Sequence, residues 1–313
     1  MLFNRTPRLD LTDKVVVITG AGSGIGRALA KELTERGANV AISDWNADSV
    51  AETASMIEGR GTKVLIDSFD VSDRAAFEAH AQRVLDEFGR ADIVINNAGV
   101  SLAAQVATMT YEDMEWVIGI DFWGVVYGTK AFLPHILERG DGAIVNVSSV
   151  YGLFGVPTQS GYNAAKFAVR GFTEALQQEV ADTDVVVTRV HPGGIKTNIV
   201  RHGRIRESMD QGGNPEELAE QFENAVRTTP ERAAEIIVNG LVKRKPRILI
   251  GPDAVMLDLL VRLLPVRYQK VMGLLSKLMF RDPQTEAAEA GTVPSAVNHL
   301  TPDAASTAAA ADA

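Results

Sequence analysis

Cysteine is absent from all 313 residues. That excludes disulfides, thiolate nucleophiles and cysteine-ligated zinc, and it leaves only five histidines as imidazole bases or ligands. Positive charge is in deficit, with 31 Lys and Arg against 40 Asp and Glu and a formal net charge of -9. Such a chain lacks the cationic surface that displaces phosphate counterions, which argues against nucleic acid as the main partner and for a small molecule. Long apolar runs are missing too. No stretch of about 18 uncharged apolar residues exists to span a bilayer, and the opening MLFNRTPRLDLTDK has no apolar signal-peptide core. Together these absences predict a soluble cytoplasmic protein without a metal site.

What is present is an alternation. Short apolar, β-branched runs stand at 15–19 (VVVIT), 40–43, 64–69, 92–96, 143–148, 185–190 and 247–250. Between them, 25–36, 47–58, 73–88, 111–138, 160–181 and 230–244 carry the 3.6-residue periodicity of helices. Continuously apolar strands imply burial on both faces, and helices between them imply right-handed βαβ crossovers. The expected fold is α/β, a Rossmann-like doubly wound domain over 1–251 with a seven-stranded parallel sheet. Two segments break the rhythm. Residues 197–230 are charged and weakly periodic, as expected of a lid. Residues 252–281 read as an amphipathic helical extension rich in Leu and Met, broken at Pro265, with Arg262, Arg267, Lys270, Lys277 and Arg281 interspersed. Packing on the domain or on an oligomer partner is its favoured reading, ahead of a flap over the pocket and of peripheral membrane contact. The rest, 282–313, has the composition of a disordered tail.

Directly after the first run comes Thr19-Gly20-Ala21-Gly22-Ser23-Gly24-Ile25-Gly26, opening into a helix. Glycines there let a pyrophosphate approach the N–H groups and positive dipole of the helix N-terminus. Asp44 ends the second strand 18 residues after Gly26, near the position where an acidic residue holds the adenosine ribose in dinucleotide sites. Its carboxylate accepts from a free 2′-hydroxyl and repels a 2′-phosphate. Neither Ser23 nor Trp45 is basic, so NAD is favoured over NADP.

Farther on, Tyr162-Asn163-Ala164-Ala165-Lys166 puts a phenol and an ammonium on one helical face at i and i+4. A phenol with an unperturbed pKa of about 10 is a poor base at neutral pH, and a neighbouring cation favours its phenolate. Ser148 and Ser149 end the fifth run thirteen residues upstream of Tyr162, at the sheet edge where open α/β sheets bind ligands.

With these motifs in order, the chain resembles the short-chain dehydrogenase/reductase family over about 12–251. The resemblance also rests on Asp70-Val71, Asn96-Asn97-Ala98-Gly99 and Pro192-Gly193 leading to Thr197. It implies that Ser149 hydrogen-bonds the substrate oxygen and that Tyr162 exchanges a proton with it. Lys166 would lower the Tyr162 pKa and hold the nicotinamide ribose. It further implies that Asp70 and Val71 contact adenine, that Asn97, Ala98 and Gly99 support the central strand and cofactor, and that Ile195 and Thr197 hold the nicotinamide carboxamide. Ser148 is expected to be structural. Pocket residues would be Ser101, Leu102, Leu153, Phe154, Gly194 and Ile199, suiting a lipophilic alcohol or ketone. The long helices 111–138 and 160–181 resemble those that build the family's homodimer and homotetramer interfaces.

One position departs from the family pattern: Asp121 stands where a fourth catalytic member is usually Asn. It can still accept a hydrogen bond in a relay from Lys166, and a buried carboxylate there favours the charged lysine. The leading expectation is therefore an NAD-dependent alcohol dehydrogenase or ketone reductase. Two alternatives stand beside it, an NADP-dependent carbonyl or 3-oxoacyl-type ketoreductase and a non-catalytic NAD-binding regulator.

Overall fold

A computed structural model describes residues 8–59, 61–206, 220 and 226–279. Nine strands are described: β1 (Val15–Thr19), β2 (Asn39–Asp44), β3 (Val64–Ser68), β4 (Ile93–Asn96), β5 (Leu102–Ala103), β6 (Asp141–Val147), β7 (Asp184–Pro192), β8 (Arg204–Ile205) and β9 (Arg247–Ile250). All but β5 and β8 form one parallel sheet in the order β3-β2-β1-β4-β6-β7-β9. The helices are α1 (Gly24–Glu35), α2 (Ala47–Ile57), α3 (Arg74–Phe88), α4 (Tyr111–Ile118), α5 (Gly124–Arg139), α6 (Ser160–Glu179), α7 (Pro230–Val242), α8 (Pro252–Leu263) and α9 (Tyr268–Met279). The expected seven-stranded, doubly wound sheet is therefore the observed one.

Strand periodicity explains its two cores. Val16 and Ile18 of β1 face Leu29 and Leu33 of α1 and Ile237 of α7, whereas Val15 and Val17 face Phe77 of α3, Phe132 of α5 and Leu176 of α6. Each such aliphatic side chain contributes about 1.5–3 kcal/mol on burial, so the central strands hold both helical layers. Strand order reverses between β1 and β4, which opens a crevice at their carboxyl ends.

Two features differ from the sequence expectation. The helix expected over 111–138 is divided by a π-helical turn at Gly119–Trp123, and the turn buries Asp121 completely. A tertiary partner draws that residue inward, which 3.6-residue periodicity does not report. Within the segment expected to be a lid, β8 pairs in parallel with β5, Leu102 opposite Arg204 and Ala103 opposite Ile205. Two-residue strands are too short to leave a pattern. The remainder of that segment, 207–219 and 221–225, lies outside the described residues, as does the tail expected over 282–313.

The chain divides into two compact units, Met1–Leu263 and Leu264–Ala313. Helix α8 belongs to the first and α9 to the second. Among the described residues, no helix is long and apolar enough to cross a membrane.

Candidate active site

The site is assembled at the carboxyl ends of β1, β2, β4, β6 and β7. On its cofactor side, Gly26 is obligatory, because a Cβ there would lie 2.1 Å from the Gly20 carbonyl oxygen. The loop is thereby folded onto the start of α1. Asn46, Asp73, Thr110 and Thr229 cap their helices through side chains, but Ser23, at the N-cap of α1, makes no such bond. The first N–H groups of α1, around Gly24 and Ile25, therefore receive no side-chain cap.

Asp44 stands beside that loop. Its Oδ2 accepts from the Gly22 N–H at 2.9 Å and its Oδ1 from the Asn46 N–H at 3.0 Å, so the carboxylate has a fixed orientation. Arg27 is engaged elsewhere, donating to the Gly22 carbonyl and Thr53 Oγ1, both at 3.0 Å, and pairing with Glu52. Asn97 ties the loop to β4: its N–H donates to Thr19 Oγ1 at 3.1 Å and its Nδ2 to the Thr19 carbonyl at 3.0 Å. Ala98 N–H shares the same hydroxyl. Asp70 is exposed, with Oδ1 accepting from the Ser72 N–H and hydroxyl at 2.8 Å, while Val71 is buried against Gly124. Across the crevice, Pro192 and Gly193 lead to buried Ile195 and to Thr197, which approaches Gly24.

At the end of β6 and along α6, the candidate catalytic residues Ser149, Tyr162 and Lys166 are buried, as is Asp121 of the π turn. Lys166 Nζ lies 5.6 Å from the Tyr162 ring centroid, 3.1 Å from Asp121 Oδ2 and 3.4 Å from the Val147 carbonyl. Asp121 Oδ1 accepts from the Val100 N–H at 2.7 Å, which joins the π turn to the segment following Gly99. Burial pulls Lys166 downward, but Asp121 and Tyr162 outweigh it and hold its pKa above the ordinary lysine value. Burial likewise pushes Tyr162 above the ordinary phenol value. Lys166 and a hydrogen bond with Ser149 oppose that push, and the Asp121 charge adds to it. Lys166 thus does not deliver a low phenol pKa here, because burial outweighs it and the Asp121 charge adds to burial.

Two positioning residues, Asn163 and His191, were not legible in the motifs, whereas Ser148 was expected to be structural. Asn163, inside the Tyr162–Lys166 stretch, donates to the carbonyls of Tyr151 at 2.6 Å and Phe154 at 2.8 Å and accepts from the Val156 N–H at 3.0 Å. It clasps the segment that follows Ser149. Ser148 donates to the Lys166 carbonyl at 2.8 Å, a tie between β6 and α6. His191 Nδ1 donates to the Ser149 carbonyl at 2.9 Å, and its Nε2 has no partner among the described residues. Burial lowers the His191 pKa to about 4, against the pull of that hydrogen bond and with the help of Arg247, Arg189 and Arg170. The ring is therefore neutral and Nδ1-protonated. Its position two residues before Gly193, at the carboxyl end of β7, was the available signal.

Beside Tyr162 the wall is apolar. Leu102 packs with Tyr162, Val117 and Ala104, and Val100, Met109, Met114 and Tyr151 border them. Leu153 and Phe154 are buried. Buried Asp113 binds Arg206 Nε at 2.8 Å and Nη2 at 2.6 Å and Arg204 Nη1 at 3.3 Å, while Arg204 stacks 4.1 Å over the Trp116 ring. The arginine beside Asp113 keeps its carboxyl well below the usual range. This cluster pins β8 and the start of the succeeding segment against α4.

The family model described as short chain dehydrogenase matches residues 14–207. The chain is 49% identical over 263 residues to SadH of Mycobacterium tuberculosis, named as an oxidoreductase, covering 83% of this chain and 94% of that one. It is 35% identical over 215 residues to human dehydrogenase/reductase SDR family member 7, covering 67% and 63%. Among solved structures it is similar to a Burkholderia phymatum short chain dehydrogenase/reductase in complex with NAD, with TM-score 0.75, 28% identity and coverage of 82% and 95%. It is also similar to levodione reductase, with TM-score 0.69, 29% identity and coverage of 79% and 98%.

Proposed function

The chain belongs to the short-chain dehydrogenase family, oxidoreductases that act on small molecules with a nicotinamide cofactor, and on that premise we propose that it interconverts a lipophilic secondary alcohol and its carbonyl compound using NAD(H). The observation that carries this reading is the buried group of Tyr162, Lys166 and Ser149 at the carboxyl edge of the sheet, beside an apolar wall.

The residues fit the cofactor. The uncapped start of α1, at Ser23, Gly24 and Ile25, suits the pyrophosphate, and the oriented Asp44 carboxylate suits a ribose bearing a free 2′-hydroxyl. With Arg27 committed to Gly22, Thr53 and Glu52, no cation of the loop is presented to a 2′-phosphate, which supports NAD over NADP. Asp70 and Val71 would border the adenine, and Ile195 and Thr197 the carboxamide. When bound, the nicotinamide supplies the hydride acceptor or donor.

This chain's own residues manage the proton and the substrate oxygen. Ser149 Oγ hydrogen-bonds that oxygen. Tyr162 takes the hydroxyl proton during oxidation and returns it during reduction. Lys166 stabilises the phenolate, and Asp121 holds Lys166 charged and in place. The apolar wall of Leu102, Val100 and Met109 excludes water and favours a lipophilic carbon skeleton. Trp123 and Phe167, partly exposed on the helices expected to pair copies, support a homo-oligomer.

The test is cofactor reduction with a panel of lipophilic secondary alcohols and cofactor oxidation with the matching ketones, both followed by absorbance. Turnover with at least one, at a higher kcat/KM for NAD than for NADP, is expected. A preference for NADP contradicts the Asp44 reading, and no turnover in either direction contradicts the activity.

A further inference from the structure

Gly193 and Gly194 have no side chains with which to fix their own path, so the turn after β7 must take its conformation from its neighbours. Two of its ties are backbone bonds. Gly193 N–H donates to the Ile250 carbonyl at 2.9 Å, and Lys196 N–H to the Thr228 carbonyl at 2.9 Å. Between them, Gly194 N–H donates to Asp253 Oδ2 at 2.7 Å. Asp253 lies in the first turn of α8, where a carboxylate ordinarily serves its own helix. Here it reaches across to the turn.

Close approach shows how specific that contact is. A Cβ on Gly193 would lie 2.2 Å from Asp253 Oδ2 and 2.5 Å from its Cγ. Gly193 is not among the positive-φ glycines, so a side chain there would be opposed by the Asp253 carboxylate, which would have to move off the turn, and not by backbone strain. Gly251, at φ +96, swings the chain from β9 into α8 and brings Asp253 round. At the other end of the turn, a Cβ on Gly24 would lie 3.1 Å from Thr197 Cγ2, so Thr197 abuts the glycine-rich loop. A turn anchored at one end by Asp253 and abutting that loop at the other has little freedom to shift.

We propose that Asp253 is a positioning residue for the nicotinamide half of the cofactor: its carboxylate fixes the Gly193-Gly194 turn and thereby sets the placement of Ile195 and Thr197. The inference rests on the reading that Ile195 and Thr197 hold the carboxamide. It also assigns a role in the cofactor site to a residue outside the stretch 14–207 matched by the family model.

Calorimetric titration of the full chain with NAD and with ADP-ribose, which lacks the nicotinamide, tests it. The wild type is expected to bind NAD more tightly than ADP-ribose. Asp253→Ala should lose about tenfold or more in NAD affinity, the scale of a lost charge-assisted hydrogen bond, while ADP-ribose affinity stays within about twofold. Asp253→Asn, whose side-chain oxygen still accepts from the Gly194 N–H, should recover most of the loss. Asp253→Glu keeps the charge at the start of α8 but moves the oxygens by one methylene, and it should show the same selective loss if Asp253→Ala fails to fold. An unchanged NAD affinity, or equal losses for both ligands, overturns the proposal while leaving the carboxamide reading intact. A wild type that does not distinguish NAD from ADP-ribose overturns that reading and the proposal with it.

Discussion

The two ends of the central sheet handle buried charge in opposite ways. At the amino ends of the strands, buried Asp92 accepts from the Val15 N–H at 2.8 Å and from Arg90 Nε at 2.8 Å, and it also pairs with Lys14 and Arg139, each at 3.7 Å. Asp141 is shared there between Lys14 at 3.3 Å and Arg244 at 3.2 Å. Most of the hydrogen-bonding capacity at this end is filled by the protein, Arg244 Nε being left without a partner among the described residues. At the carboxyl ends, Lys166 brings three donors to one carboxylate oxygen and one distant carbonyl, the α1 N-terminus is uncapped, and His191 Nε2 has no partner among the described residues. A filled cluster stabilises the fold, whereas an underfilled one is ready to bind. The contrast agrees with the proposed placement of the site at the carboxyl ends.

Substitutions can break this contrast. The largest effect is expected from Asp92→Ala, which strands several cations and the Val15 N–H: about 4 kcal/mol of stability should be lost, while the folded fraction keeps its kcat and NAD affinity. Chemical denaturation with parallel kinetics checks this. A fall in kcat per folded molecule would mean that the amino end is not purely structural.

His191 should show the next effect, through pH. Its folded pKa of about 4 lies below the ordinary 6.5, so the fold binds its neutral form. The associated stability is fully present above pH 6.5 and is lost as pH falls toward 4, amounting to about 3 kcal/mol. Unfolding free energies measured from pH 7 to pH 4 should fall less steeply for His191→Gln than for the wild type. Equal slopes would show that His191 is not a buried neutral group. Buried His80, also lowered by burial, contributes with the same sign in both proteins.

A smaller effect is expected of Asp121→Asn. Asparagine can still accept from the Val100 N–H, so the π turn should persist, but the charge that raises the Tyr162 pKa is removed. The rising limb of kcat/KM for alcohol oxidation should move to lower pH. An unmoved limb would exclude Asp121 from the proton-transfer site.

Legibility in the sequence divided along a physical line. β1, β4 and β6 were readable because burial on both faces requires continuous apolar runs, and the glycine loop and the Tyr162–Lys166 spacing because their chemistry is local. The π turn at Asp121, the β5–β8 pair and the contact of Asp253 with Gly194 were not readable. In each the determining partner is distant in sequence: Lys166 for Asp121, Leu102 for Arg204, Gly194 for Asp253. His191 belongs with these cases, since its partner, the Ser149 carbonyl, lies 42 residues away and no periodicity reveals it.

The most direct test of the account is Tyr162→Phe, assayed for kcat with a responsive alcohol and for NAD affinity by titration. Removal of the phenol should cost at least about 100-fold in kcat while NAD binding and stability stay near wild type. Turnover close to wild type would contradict the assignment of Tyr162 as the proton-transferring group.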